Sequence, residues 1–140
     1  MFQISHLPMS QNNDAYLAGL IDGEGTITIG LEKRDKKNAY RPIIAITSTS
    51  GDFIKGVQNS IPFKTHLYSY DKTKYNPNWS REYKLYISTK EMLPFIDSIE
   101  KYVLLKATQL KLLKEFILTR DSNIYYILRK LNQRGGAGVT

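Results

Sequence analysis

One segment, residues 15–24, constrains what this chain can fold into more than any other part of the sequence. It is mainly apolar, and the small residues Ala15, Gly19 and Gly23 recur in it at every fourth position. Residues at that spacing share one face of an α-helix. Because this face carries no large side chain, a second helix can approach it almost to backbone contact. The segment therefore predicts a helix that packs closely against another helix.

Two carboxylates, Asp22 and Glu24, stand where this helix is predicted to end. The C-terminus of a helix already carries about half a negative charge, so acidic side chains there are electrostatically unfavourable. Their presence indicates that a cation binds at this end of the helix.

The nine residues from Leu17 to Gly25 resemble the signature of the LAGLIDADG homing endonucleases, with seven of nine positions in agreement. Gly23 replaces an alanine, and Glu24 replaces the second aspartate while keeping its charge. The motif occurs once in the chain, and a family member with one copy pairs with itself. The resemblance thus implies a homodimer with two acidic helix ends. The expected dimer interface consists of Ala15, Ala18, Gly19, Asp22 and Gly23.

The resemblance also implies hydrolysis of DNA phosphodiester bonds with a divalent cation, Mg²⁺ or another such as Mn²⁺. Such hard cations prefer oxygen ligands and activate water for attack on phosphate. Glu24 is the expected ligand through its carboxylate, and Gly23 through its carbonyl. For Asp22 two roles stay open, which are metal contact and hydrogen bonding that secures the helix pair near the dimer axis.

Two further catalytic residues, Lys106 and Ser48, are implied by their positions. Lys106 matches the Lys-x-x-Gln element of the family and would polarise the phosphate or the attacking water; alternatively, it is a solvated lysine on an amphipathic helix. Ser48 follows the second predicted strand, where relatives place a water-positioning residue, often Gln or Asn. Since serine is shorter, this role stays open. The histidines, His6 and His66, lack partners at metal-ligand spacing.

The periodicity of apolar residues predicts the remaining elements. Alternation predicts four strands near residues 26–32, 41–47, 63–72 and 81–89, with a short helix starting at Ser50 or Asp52. Helical spacing predicts a short helix through Ile99, a longer one that includes Leu104 and Leu105, and a last one over about 122–133. The order is α-β-β-α-β-β-α plus C-terminal helices. It predicts an α+β domain on a four-stranded antiparallel sheet, as the resemblance also implies.

The chain length predicts a single domain. We assign residues 1–12 to an N-terminal arm, residues 13–134 to the LAGLIDADG endonuclease domain, and residues 135–140 to a flexible glycine-rich tail. Asn12, Asn13 or Asp14 is expected to cap the first helix.

Strand alternation separates two faces of the predicted sheet. The inner, core-packed face is expected to carry Ile27, Ile29, Leu31, Ile44, Ile46, Leu67, Tyr83, Leu85 and Ile87. The opposite face offers donors, acceptors and aromatic rings suited to base edges and phosphates. The expected DNA-binding residues are Thr28, Glu32, Arg34, Arg41, Lys64, His66, Tyr68, Tyr70, Lys72, Glu82, Lys84 and Tyr86. Ile43 and Ala45 interrupt this face; they contact thymine methyl groups or pack, and we favour packing.

Charge supports a polyanionic partner, with nucleic acid as the first candidate, and the resemblance implies double-stranded DNA. The chain has 20 basic and 13 acidic residues, and residues 32–90 alone carry a net charge of +7. Ten strand residues span about 33 Å, close to ten base-pair steps, so a symmetric dimer would cover a pseudo-palindromic site of roughly twenty base pairs.

Two other functions stay open, an RNA-binding intron maturase and a DNA-binding regulator that does not cleave. We also expect a soluble, intracellular protein of the cytoplasm, nucleoid or an organelle matrix. There is no cysteine, no apolar run of bilayer length and no signal peptide pattern in the sequence.

Overall fold

The structure of this chain, a computed structural model, describes residues 7–78 and 80–138. Within these residues the α-helices are α1 (Leu7–Glu24), α2 (Gly51–Ser60), α3 (Met92–Ile99), α4 (Ala107–Thr119) and α5 (Asn123–Gly138). The strands are β1 (Gly25–Lys33), β2 (Asn38–Ser48), β3 (Thr65–Tyr70) and β4 (Glu82–Ile87). They form one antiparallel sheet in the order β1-β2-β4-β3. Short 3-10 turns, Thr89–Glu91 and Glu100–Tyr102, precede and follow α3. The predicted fold class is confirmed.

The turn from α1 into β1 is tight and depends on Gly25. A Cβ atom added at Gly25 would lie 2.8 Å from the Cα atom and from the carbonyl oxygen of Ile21. Such a contact is with backbone and has no room to relax. Only glycine therefore lets the strand leave the helix immediately after Glu24.

The core lies between the inner face of the sheet and the helices. Six of the nine residues predicted for this face are buried, and Leu31, Leu67 and Tyr83 are partly buried against the same cluster. Helices α1 and α4 cover it with apolar side chains such as Leu17, Ile21, Leu110 and Leu113. The prediction of the inner face is confirmed, and the opposite, outer face of the sheet is not covered by these helices.

Near both ends of the described residues, the helix bounds differ from those predicted from the sequence. Helix α1 begins at Leu7 rather than near residues 12–14, since Pro8 is tolerated in a first helical turn, where N–H groups lack partners in any case. Asn13 does not cap α1, because its side-chain amide donates to the Ser60 carbonyl at 2.7 Å. Helix α5 continues to Gly138, into the segment that we assigned to the tail because glycine is a poor helix former. Residues 1–6, with His6, and residues 139–140 lie outside the described part of the chain.

Helix α4 begins at Ala107, so Leu104 and Leu105 precede it instead of lying within it. These two side chains are 82% and 75% exposed. Over the ranges that the structure describes, no helix combines the length and the apolar character needed to cross a bilayer.

Candidate functional site

The C-terminal end of α1 is bound to the connection before α4 through Asp22. One carboxylate oxygen of Asp22 accepts the backbone N–H of Leu104 at 2.8 Å, and the other accepts that of Lys106 at 3.0 Å. Charge-assisted hydrogen bonds of this kind are stronger than neutral ones. They hold residues 104–106 outside the helix that the apolar spacing predicts, which explains the late start of α4.

Lys106 completes this connection with its side chain. Its Nζ atom donates to the carbonyl of Ile21 at 3.1 Å and to that of Gly25 at 2.5 Å. Partial burial lowers the pKa of Lys106, while the negative charges of Asp22 and Glu24 raise it and so oppose that effect. Lys106 is therefore not the solvated helix-surface lysine of the alternative interpretation. It lies beside both predicted acids.

Glu24, the predicted metal ligand, is the last residue of α1, and its side chain is exposed. A carboxylate next to the carbonyls of a helix C-terminus is a set of hard oxygen donors, which fits a divalent cation such as Mg²⁺. In residues 7–78 and 80–138 there is no group of three or more His, Cys, Asp or Glu side chains that could hold a metal ion. Further ligands would come from carbonyl oxygens, water or phosphate.

Ser48 lies at the end of β2 that adjoins this site. Gly25 pairs with Ile46, so Ser48 extends two residues past the start of β1, toward the C-terminal end of α1. Its hydroxyl oxygen accepts the backbone N–H of Ser50 at 3.0 Å. The hydroxyl keeps its own proton to donate, and the role of Ser48 in positioning water stays a prediction.

The small-residue face of α1 is open. Ala15, Gly19 and Gly23 are exposed, and a Cβ atom added at either glycine would meet no atom within 4 Å. Ala18 is different, because it is completely buried in the core with Leu17 and cannot contact a second chain. Its assignment to the dimer interface is wrong, since a small side chain does not by itself decide which way a helical position faces.

Three apolar residues that we did not assign to any site lie near this open face. Tyr16 is 49% exposed on α1, and the exposed Leu104 and Leu105 are anchored beside Asp22. Large apolar side chains grouped at a surface mark candidate contact sites. The exposure of the two leucines was not predicted from the sequence, because their helical spacing predicts burial within α4.

The strand residues predicted to bind DNA share the outer face of the sheet. The strand register places Tyr86 opposite His66, Lys84 opposite Tyr68, and Glu82 opposite Tyr70. In the other hairpin, Thr28 pairs with Ile43 and Gly30 with Arg41. Arg34, Lys64 and Lys72 lie just outside the strand ends. Thr26 and Thr47 share this face by the same alternation, although we had not assigned them a role.

Side chains on the outer face interact with one another. The rings of Tyr68 and Tyr86 meet edge to face at 5.6 Å, and the Lys84 ammonium lies 5.8 Å from the ring centre of Tyr70. Both acidic residues predicted for this face, Glu32 and Glu82, have a basic neighbour. The ion pairs are Arg41–Glu32 at 3.6 Å, Arg34–Glu32 at 3.7 Å and Lys72–Glu82 at 3.2 Å.

A depression of about 560 Å³ lies on this face between β2, β3 and the turn after β4. Thr89 and Lys90 line it, and neither residue was predicted from the sequence to belong to the site. The turn is fixed because the carboxylate of Glu91 accepts the Lys64 N–H at 2.9 Å, and Ser88 donates its N–H to the Lys64 carbonyl at 2.9 Å. Lys64 and Lys90 thus line the same depression.

Comparisons with known proteins agree with this fold. The sequence profile of the LAGLIDADG-like domain matches residues 12–100. The fold is similar to that of the homing endonuclease I-CvuI, solved with the I-CreI target in the presence of Mg, at a TM-score of 0.65 and 18% identity over 86% of this chain and 77% of that one.

A second similar structure is an archaeal intron-encoded homing endonuclease complexed with DNA. Its TM-score is 0.66 and its identity is 15%, over 85% of this chain and 83% of that chain. None of the curated proteins matches the chain by sequence. Because the profile covers more than half of the chain and includes the acidic end of α1, this protein belongs to the family of LAGLIDADG-like domains.

Proposed function

We propose that this protein is a site-specific double-strand DNA endonuclease that acts as a homodimer with a divalent cation. One observation carries the proposal. Asp22, Glu24 and Lys106 converge at the C-terminal end of α1, where the chain enters a sheet whose outer face is basic and aromatic. A cluster of carboxylates and a lysine beside a polyanion-binding surface suits phosphodiester hydrolysis.

The outer face supports binding of duplex DNA. Among the twelve residues predicted there, five are basic and two are acidic. Exposed tyrosines and His66 add hydrogen-bonding groups between these charges. A twisted antiparallel sheet presents such side chains in rows, and the major groove is wide enough to admit a two-stranded ribbon.

The cleavage chemistry divides among three groups of this chain. Glu24, with the carbonyl of Gly23, would hold the cation, which when bound supplies an activated water and charge neutralisation at the phosphate. The Lys106 ammonium lies near the carboxylates of Asp22 and Glu24 and would stabilise the negative charge that develops on the phosphate. The Ser48 hydroxyl would orient water. Asp22 accepts hydrogen bonds from two backbone N–H groups of its own chain, which supports a structural role for this residue rather than metal contact.

The homodimer is proposed from the open face of α1. Each chain provides one Glu24, whereas cutting two strands requires two reaction centres. Pairing of Gly19 and Gly23 with their symmetry mates would bring two such centres together. The exposed Tyr16 and the leucine pair 104–105 add apolar area next to this face, which supports association of two copies.

RNA binding is a second candidate function. Tyr70 and Tyr75 are 45% and 72% exposed, and each has a lysine ammonium near its ring. Unpaired RNA bases stack on exposed aromatic side chains of this kind. A regulator without cleavage activity is the weakest candidate, because it would have no use for the grouping of Glu24 and Lys106.

The proposal is tested by incubating the purified protein with a DNA library in Mg²⁺ and sequencing the new ends. We expect paired breaks on both strands at one recurring sequence, and none in EDTA. Intact DNA together with tight binding of intron RNA in a parallel assay would favour the maturase.

A further inference from the structure

One apolar side chain, Ile43, is partly exposed on the outer face of the sheet. The other apolar interruption, Ala45, is buried at 6% exposure, so the prediction that it packs is confirmed. Ile43 is only half-buried and lines the depression described above. Burial in the core therefore does not explain why an isoleucine occupies this position.

Gly30 determines where the Ile43 side chain lies. A Cβ atom added at Gly30 would come within 2.9 Å of the Ile43 Cδ1 atom. Since glycine has no side chain, Ile43 extends sideways from β2 over the bare backbone of β1. The result is a low apolar surface in the sheet, bordered by Thr28, which pairs with Ile43, and by Arg41, which pairs with Gly30.

The surroundings of Ile43 are polar and basic. Arg41, Lys64, His66 and Lys90 line the same depression. These side chains suit phosphates and the polar atoms of base edges. An aliphatic surface among them suits a group that forms no hydrogen bond. In the major groove, the C5-methyl of thymine is the apolar group on a base edge.

We propose that Ile43 is a specificity-determining residue that contacts the C5-methyl group of one thymine in each half-site. The inference rests on the proposed function, because it requires the outer face to bind duplex DNA. Gly30 is a positioning residue for this contact. It leaves the space that the Ile43 side chain occupies.

The test compares thymine with uracil, which differs only by that methyl group. Duplex sites are first selected with the purified protein from a random pool in EDTA, so that nothing is cut. Each thymine of the selected site is then replaced by uracil, and affinity is measured for the wild-type protein, Ile43→Ala and Ile43→Thr. Thr47→Ala is the matched control on the same strand and the same face. Thermal unfolding checks that every variant is folded.

We expect one thymine per half-site whose replacement by uracil weakens wild-type binding about fourfold, as for loss of one buried methyl contact. Replacement in both half-sites should weaken binding about sixteenfold, because two such contacts are lost. Ile43→Ala and Ile43→Thr should bind the thymine and uracil sites equally, and Thr47→Ala should keep the difference. Gly30→Ala should reduce the difference in affinity between the thymine and uracil sites.

A selected site without any methyl-sensitive thymine overturns this inference and leaves the proposed function intact. So does a difference between thymine and uracil that persists in both Ile43 variants. If no DNA sequence is selected at all, the proposed function fails and this inference fails with it.

Discussion

Asp22 and Lys106, 84 positions apart in the sequence, each bind the segment that carries the other. The Asp22 carboxylate accepts the Lys106 backbone N–H at 3.0 Å, and the Lys106 side chain donates to the carbonyls of Ile21 in α1 and Gly25 at the start of β1. A cation at a helix C-terminus satisfies carbonyls that have no partner within the helix and opposes its negative charge. The chain thus supplies one positive charge of its own at the acidic helix end.

This contact predicts a structural role for Asp22. In Asp22→Asn one of the two N–H groups would face an amide donor, so we expect a loss of about 1–3 kcal/mol in the free energy of unfolding. Glu24→Gln, at an exposed position, should change it by less than about 0.5 kcal/mol. Urea denaturation at equal protein concentration measures both. Equal stability of the two variants would contradict this role.

The open face of α1 predicts that Gly19→Leu prevents dimer formation. A Cβ atom added at position 19 meets no atom within 4 Å in one chain, and leucine is a better helix former than glycine. The folded monomer should therefore persist while sedimentation shows loss of the dimer. Gly56→Leu is the matched control, because Gly56 is also exposed and equally open on α2. A dimer of unchanged affinity in Gly19→Leu would refute this interface.

The exposed leucine pair predicts a second effect on assembly. We expect the double change Leu104→Ser and Leu105→Ser to weaken self-association at least tenfold, because two apolar side chains would no longer be buried between the chains. Since both side chains are exposed within one chain, far-UV circular dichroism should show an unchanged fold. Leu118→Ser, at a position that is 64% exposed on α4, serves as the control. Unaltered self-association of the double variant would exclude these leucines from the interface.

The position of Lys90 at the depression predicts a phosphate contact. Each phosphate that a lysine neutralises contributes about −0.9 to the slope of log affinity against log salt concentration. Lys90→Ala should therefore make the slope of a dimer about 2 units less steep. Lys111→Ala should leave the slope unchanged, because Lys111 is exposed on α4, which packs on the inner face of the sheet. Identical slopes for wild type and Lys90→Ala would remove Lys90 from the DNA interface.

The sheet was predictable from the sequence because its signal is local. Side chains alternate strictly along a strand, so the positions of Ile27, Tyr68 and Tyr86 follow from counting residues. Lys90 lies in a 3-10 turn after β4, where no period applies. For this reason the sequence did not place it beside Lys64.

The errors at α1 and α4 have a different cause. The bond between Asp22 and the Leu104 N–H joins residues 82 positions apart, and no local pattern encodes it. That bond keeps Leu104 out of a helix that its spacing favours. Similarly, Ala15 and Ala18 are the same residue type, but packing around α1 buries Ala18 and leaves Ala15 exposed.

The most direct measurement of the central claim is cleavage of a selected duplex site by wild type and Glu24→Gln in Mg²⁺. We predict that wild type cuts both strands, whereas Glu24→Gln binds the same duplex with similar affinity and leaves it intact. Cleavage by Glu24→Gln at the wild-type rate, or binding without any cleavage by wild type, would contradict the account.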